Sequence, residues 1–205
     1  ALVFNPRHPV LLRELGWIYQ HKIGYVMDTA HRHFKIRLAE EMTELLGGAH
    51  PNYQALAGGP AGERARSVYK LDPAMMAALD RDYGPLDWRL PATHALYWSD
   101  QGRRADAFQA GVRACYQMFF QCMDESFRHG RLQFDPAAGQ YLATPALELL
   151  PHAIRAHEEA LQRFDTPVFH MAYANFLAEA AVVLYCYGQV REARELYAKL
   201  IALYP

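Results

Sequence analysis

Ten histidines and three cysteines are the side chains of this 205-residue chain that chemistry would recruit first. Two histidines that share a metal from one helix must stand three or four positions apart, so that both rings leave the same face. His31 and His33 are two apart, His152 and His157 five apart, and no other pair has the helical spacing. Hydrogen-bonded or surface imidazoles are therefore expected, without a metal. Cys115, Cys122 and Cys186 form no Cys-x-x-Cys, and each lies in an apolar stretch. That pattern reads as buried, reduced thiols. Ser67, Ser99 and Ser126 sit in no Gly-x-Ser-x-Gly elbow. Gly58-Gly59-Pro60-Ala61-Gly62-Glu63-Arg64 has the glycine density of a phosphate loop, but no Lys-Ser/Thr ending and no preceding strand. Glu40, Glu41 and Glu44, and the pair Glu158 and Glu159, would need burial to do acid–base work, so they read as solvated helix faces. These patterns predict no catalytic residue, no metal and no cofactor.

The elements that position these residues are helices. Pro9, Pro73, Pro91, Pro145 and Pro167 each precede apolar residues at helical spacing. Proline suits the first helical position because its missing N–H would be unpaired there anyway. Asp72, Thr144 and Thr166 stand before three of them as N-caps. Helices are predicted over 9–22, from a cap at Asp28 along Ala30, Phe34, Leu38, Met42 and Leu45, and over 72–81 and 91–101. A long helix is predicted over 103–129 with Phe108, Val112, Cys115, Phe119 and Cys122 as its stripe. Helices over 145–164 (kinked at Pro151), 167–187 and 190–204 complete the set. Gly111 inside the long helix implies a close neighbouring helix. The Gly/Pro-rich segment 47–66 reads as a flexible loop or insertion, 130–139 as a loop, and 84–91 as an extended stretch anchored by Trp88.

Composition sets outer limits. Apolar residues make up 52% and charged residues 21%, an ordinary globular balance that excludes whole-chain disorder. Lys+Arg is 21 against Asp+Glu 22, so no basic excess points to nucleic acid. No apolar run is long enough to predict membrane insertion. The chain starts at Ala1 without Met and is read as processed or as a piece of a longer protein. Reduced-looking cysteines and no export signal favour a cytoplasmic location.

Paired helices joined by short turns suggest a helical repeat. Leu177, Ala181, Gly188, Ala193, Tyr197 and Pro205 carry small and large residues at the offsets of the tetratricopeptide repeat, which this segment resembles. Ala95, Trp98, Gly102 and Ala107 keep part of the pattern, and Ala30 and Phe34 a fainter trace. The strings 14–24 and 84–91 are also similar to segments of uncharacterised bacterial repeat proteins. The resemblance implies one all-α domain, a right-handed superhelix of antiparallel helix pairs with irregular loops. It also implies a non-catalytic interaction or scaffold role, with a peptide or partner helix lying in a groove. By position, the groove would present Arg89, Ala92, Leu96 and Ser99 from the middle pair, and Asn175, Ala178, Val182 and Tyr185 from the last. The alternative is an all-α enzyme or small-molecule binder with a pocket lined by Trp17, Trp88, Trp98 and tyrosines. Leu196, Leu200, Ile201 and Leu203 leave the last helix apolar, so a partner or second copy is expected to cover it.

Overall fold

The computed structural model describes residues 1–25, 29–105 and 108–205. The chain is mostly helical. Helix α1 (Pro9–Trp17) runs into a π-helical turn (Ile18–Ile23), followed by α2 (Thr29–Leu46), α3 (Tyr53–Gly58) and α4 (Pro60–Arg64). A second π-helical turn (Ala65–Tyr69) leads to α5 (Pro73–Tyr83), α6 (Pro91–Arg103) and α7 (Gln109–His129). Strands β1 (Arg131–Asp135) and β2 (Gln140–Thr144) pair antiparallel, and α8 (Leu150–Arg163), α9 (Pro167–Cys186) and α10 (Val190–Leu203) close the chain.

Pro9, Pro73, Pro91 and Pro167 open α1, α5, α6 and α9 as their local chemistry demands. Asp72 Oδ1 accepts from the Ala74 N–H at 2.9 Å and Thr166 Oγ1 from the Phe169 N–H at 3.4 Å. Pro145 opens no helix, because Thr144 ends β2. Pro151 instead sits in the first turn of α8, so it starts a helix rather than kinking one.

Other expectations are corrected. The loop foreseen over 130–139 is half of a hairpin, with Arg131 opposite Thr144 and Asp135 opposite Gln140. The segment 47–66, read as a flexible loop or insertion, is not a structureless loop, since it holds α3 and α4, with Leu56, Gly62 and Ala65 buried. The helix foreseen over 103–129 begins only at Gln109, as α7, and the one foreseen over 91–101 runs on to Arg103, as α6. Phe108 stands between them at φ 58, 60% exposed and outside the stripe. In α2, Leu38, Met42 and Leu45 are buried but Phe34 is exposed. The cap foreseen at Asp28 and the repeat position Ala107 lie outside the described residues.

Helices α6 and α7 pass through the centre. Every residue from 93 to 100 is buried. The two buried hydroxyls of Thr93 and Ser99 are paired locally: Thr93 Oγ1 donates to Asp87 O at 2.7 Å and Ser99 Oγ to Ala95 O at 2.7 Å. Helix α1 crosses both. A Cβ on Gly16 would meet Met118 Sδ at 2.6 Å, one on Gly102 would collide with Cys115 Sγ, and one on Gly111 would meet Val10 Cγ2 at 2.8 Å. The close neighbour that Gly111 implied is therefore α1. Trp88 is fully buried and donates from Nε1 to Tyr53 Oη at 2.8 Å, anchoring the stretch before α6. On the other side, the His157 ring of α8 stacks among Phe120, Tyr173 and Phe176, with Nε2 2.9 Å from Asp124 Oδ1. That pair ties α7 to α8. Ala193 and Leu196 of α10 are buried on this same body, where α10 packs against α9.

Candidate functional site

Three long-range arrangements build one cavity. The first is the π-helical turn after α1. There the Gly24 N–H reaches back to Tyr19 O at 2.8 Å, one residue further than in an α-helix. Tyr19 stacks on the buried His94 ring of α6, centroids 4.7 Å apart, which seats the turn on the core. The turn projects Gln20 and His21 to one side. The second is the stretch before α6. His94 Nε2 lies 2.9 Å from Trp88 O, and the Asp87–Arg89 pair holds the β1 backbone at Leu132. The third is a small apolar cluster in which Ala39 of α2, Leu90 and Leu132 meet, with Phe134 and Tyr141 packed against them. It joins α2 and the hairpin to the core.

Between these parts lies a cavity of about 600 Å³. Its apolar wall is Leu90, Pro91, Ala92 and Ala143, and rings come from Tyr25 and Tyr141. The polar groups are Gln20, His21, Lys35, Gln121, Glu125, Arg128 and His129. Glu125 Oε1 is 3.1 Å from His129 Nδ1 and Glu125 Oε2 is 3.7 Å from an Arg128 nitrogen, while Arg128 also pairs with Glu179. Burial pushes the Glu125 carboxyl up, but the His129 hydrogen bond and the charges of His129, Arg128 and Lys35 outweigh it and hold it below the usual range. Burial pulls Lys35 below the usual lysine value, against the attraction of Glu125. Burial also lowers His21, with help from the Arg13 charge, and so favours the neutral imidazole. Burial raises the Tyr141 hydroxyl, with Asp87 adding to it, which keeps that hydroxyl a donor. Cys122 is buried at the wall, and burial raises its thiol far above the ordinary value, so it is no ready nucleophile. Among the described residues no group of three or more His, Cys, Asp or Glu is placed to hold a metal ion.

The residues singled out from the repeat pattern fall elsewhere. Leu96 and Ser99 are fully buried inside α6 and face no groove. Arg89 is locked in its fork with Asp87. Ala92 alone of the middle set reaches the cavity. The middle half of the foreseen groove is thus core, because α6 is packed on all sides. Asn175, Val182 and Tyr185 are exposed on one face of α9, which also shows Val168, Met171 and Ala178. Those six positions repeat at intervals of three and four, a continuous apolar stripe interrupted by Asn175. Val168, Met171, Val182 and Tyr185 are each 59–66% exposed. Helix α9 is also long and apolar enough to cross a membrane by length and composition, with 39% of its most apolar window buried. Trp88 and Trp98 are buried in the core, and none of the three tryptophans lines the cavity.

Lys35, Glu125, His129 and Tyr141 carried no sequence signal that set them apart. The strings 14–24 and 84–91 did, and they meet here: Gln20, His21 and Gly24 come from one, Leu90 and Pro91 from the other. No known protein family, curated protein or solved structure matches the chain, so its function rests on this geometry.

Proposed function

We propose that the chain is a non-catalytic binding protein whose site is the cavity between the first π-helical turn, α2, α6, α7 and the hairpin. The observation that carries the reading is the cavity itself. About 600 Å³ is the size of a small organic ligand's site. A mostly apolar wall with a few convergent polar groups is the composition such sites share. The test is a thermal-shift screen of small organic compounds against the native chain and Ala143→Trp, which fills the cavity. Compounds that raise the melting temperature of the first and not the second support the reading. Stabilisation that persists in Ala143→Trp places binding elsewhere and overturns it.

A second reading has its own observation, the exposed stripe on α9. Here α9 and α10 form a tetratricopeptide-like terminal pair, with Ala181, Gly188, Ala193 and Tyr197 at the repeat offsets. The stripe receives a partner helix or peptide through Val182 and Tyr185, and a second copy of the chain is one such partner. Val182→Glu with Tyr185→Ser would abolish association, read by sedentation-velocity ultracentrifugation, at unchanged melting temperature. Association that survives the double substitution removes this reading.

A further inference from the structure

Lys35 stands out among the cavity's charges. Arg128 and His129 are each paired with Glu125, and Arg128 also with Glu179. Lys35 is half-buried on the wall, and among the described residues no carboxylate lies in ion-pair contact with its ammonium and no oxygen accepts from it. Glu125 acts on it through space only. A half-buried cation without an acceptor has given up water and received nothing specific in return. A ligand that supplies the acceptor restores that balance. Among the described residues Glu125 is the one carboxylate on the wall and is engaged by His129 and Arg128, and the remaining polar groups can donate. Pro91 and Ala92 bring the first turn of α6, the positive end of that helix, to the wall. The amides of Gln20 and Gln121 and the Tyr141 hydroxyl add donors. The rest of the wall, Leu90, Pro91, Ala92, Ala143 and the ring of Tyr25, is apolar.

We propose that the cavity takes a small amphipathic organic anion, its carboxylate on Lys35 and its apolar body against Leu90, Pro91 and Ala143. This rests on the reading of the cavity as the binding site and adds the chemical class of the ligand. The anion is single because Lys35 is the one lysine or arginine on the wall with no carboxylate in ion-pair contact among the described residues. A cationic ligand of the same shape would set a second ammonium against Lys35.

Three probes of one shape separate the possibilities: octanoate, 1-octanol and octylamine, titrated by calorimetry at neutral pH. The variants are Lys35→Met, Lys35→Arg and the cavity-filling Ala143→Trp, each checked for an unchanged melting curve. Octanoate is expected to bind the native chain most tightly and octylamine least. Lys35→Met is expected to weaken octanoate by about 10- to 100-fold, the worth of one hydrogen bond to a charged group, and to leave octanol unchanged. Lys35→Arg is expected to retain octanoate. Equal octanoate binding in Lys35→Met, or a preference for octylamine, overturns the proposal. Octanol binding without octanoate binding overturns the anion and leaves the cavity as a site. Binding of no probe, or binding that survives Ala143→Trp, overturns the cavity reading as well.

Discussion

Arg89 grips Asp87, two residues behind it, with a fork: Nε donates to Oδ1 at 2.9 Å and Nη2 to Oδ2 at 2.7 Å. The Asp87 side chain is 4% exposed and that of Arg89 14%. Arg89 Nη2 also donates to Leu132 O at 2.8 Å, and the Leu132 N–H donates to Asp87 Oδ2 at 3.3 Å. The pair therefore docks the hairpin, and the hairpin brings Tyr141 and Ala143 to the cavity wall.

Removing one partner of such a pair leaves an uncompensated buried charge. Arg89→Ala is expected to destabilise the fold by about 3–5 kcal/mol. Arg89→Lys should recover only part, because an ammonium cannot occupy both oxygens in a planar fork. Urea denaturation measures both. A native-like midpoint for Arg89→Ala would show that Arg89 is free to serve a partner instead.

His94 makes stability depend on pH. Burial lowers its pKa to about 4, against the partial compensation of the Trp88 carbonyl. The unfolded chain has the ordinary value near 6.5, so between these values the unfolded state binds more protons. The stabilisation is present above about pH 6.5 and is lost as pH falls toward 4. The difference amounts to on the order of 3 kcal/mol. Unfolding free energies at pH 7 and pH 5 should differ by about 2 kcal/mol, the part of that span crossed between them, and His94→Gln should flatten that part of the slope. An equal slope in the variant assigns the effect to other groups.

The thiols divide by burial rather than by the apolar stretches around them. Cys186 is exposed, which corrects the expectation that all three are buried. Cys115 donates to Pro9 O at 3.3 Å, and burial pushes its thiol up to about 12. At neutral pH its thiolate fraction is roughly a thousandfold below that of an ordinary cysteine. One thiol should react quickly with a disulfide reagent in the folded protein, and all three after denaturation. Two fast thiols would contradict the burial of Cys115 or Cys122.

The crossing of α6 and α7 has no room for a methyl group at Gly102. Gly102→Ala drives a Cβ into Cys115 Sγ with Pro9 O at 3.4 Å behind it, and overpacking of this kind costs about 1–3 kcal/mol. Cys115→Ala should rescue part of the loss, so the double variant is expected to be non-additive in thermal denaturation. Gly58→Ala is the control, because nothing lies within 4 Å of its Cβ. A fully additive double variant would place the strain elsewhere.

Local chemistry in the sequence determined where helices begin. A proline at N1 with Asp72 or Thr166 before it needs nothing beyond four neighbouring residues, and α5 and α9 start as read. The all-α character and the capacity of Trp88 to anchor 84–90 were legible in the same way. The reading of buried faces held for Val112, Cys115, Phe119 and Cys122 of α7 and failed for α6 and for Phe34 of α2. Leu96 and Ser99 looked available because their pattern matched a groove, yet α1 and α7 cover both sides of α6. The hairpin escaped notice because its strands are only five residues long, β2 does not alternate, and the pair is held by Asp87 and Arg89, more than forty positions away. The cavity is of the same kind. Lys35 and Glu125 are ninety positions apart and meet only because Tyr19 stacks on His94 and Ala39 packs with Leu90 and Leu132. Hydrogen bonds and steric preferences within one turn act on adjacent residues and are written in order along the chain. Burial and charge pairing act between whatever surfaces the folded chain brings together, and only the tertiary structure decided those.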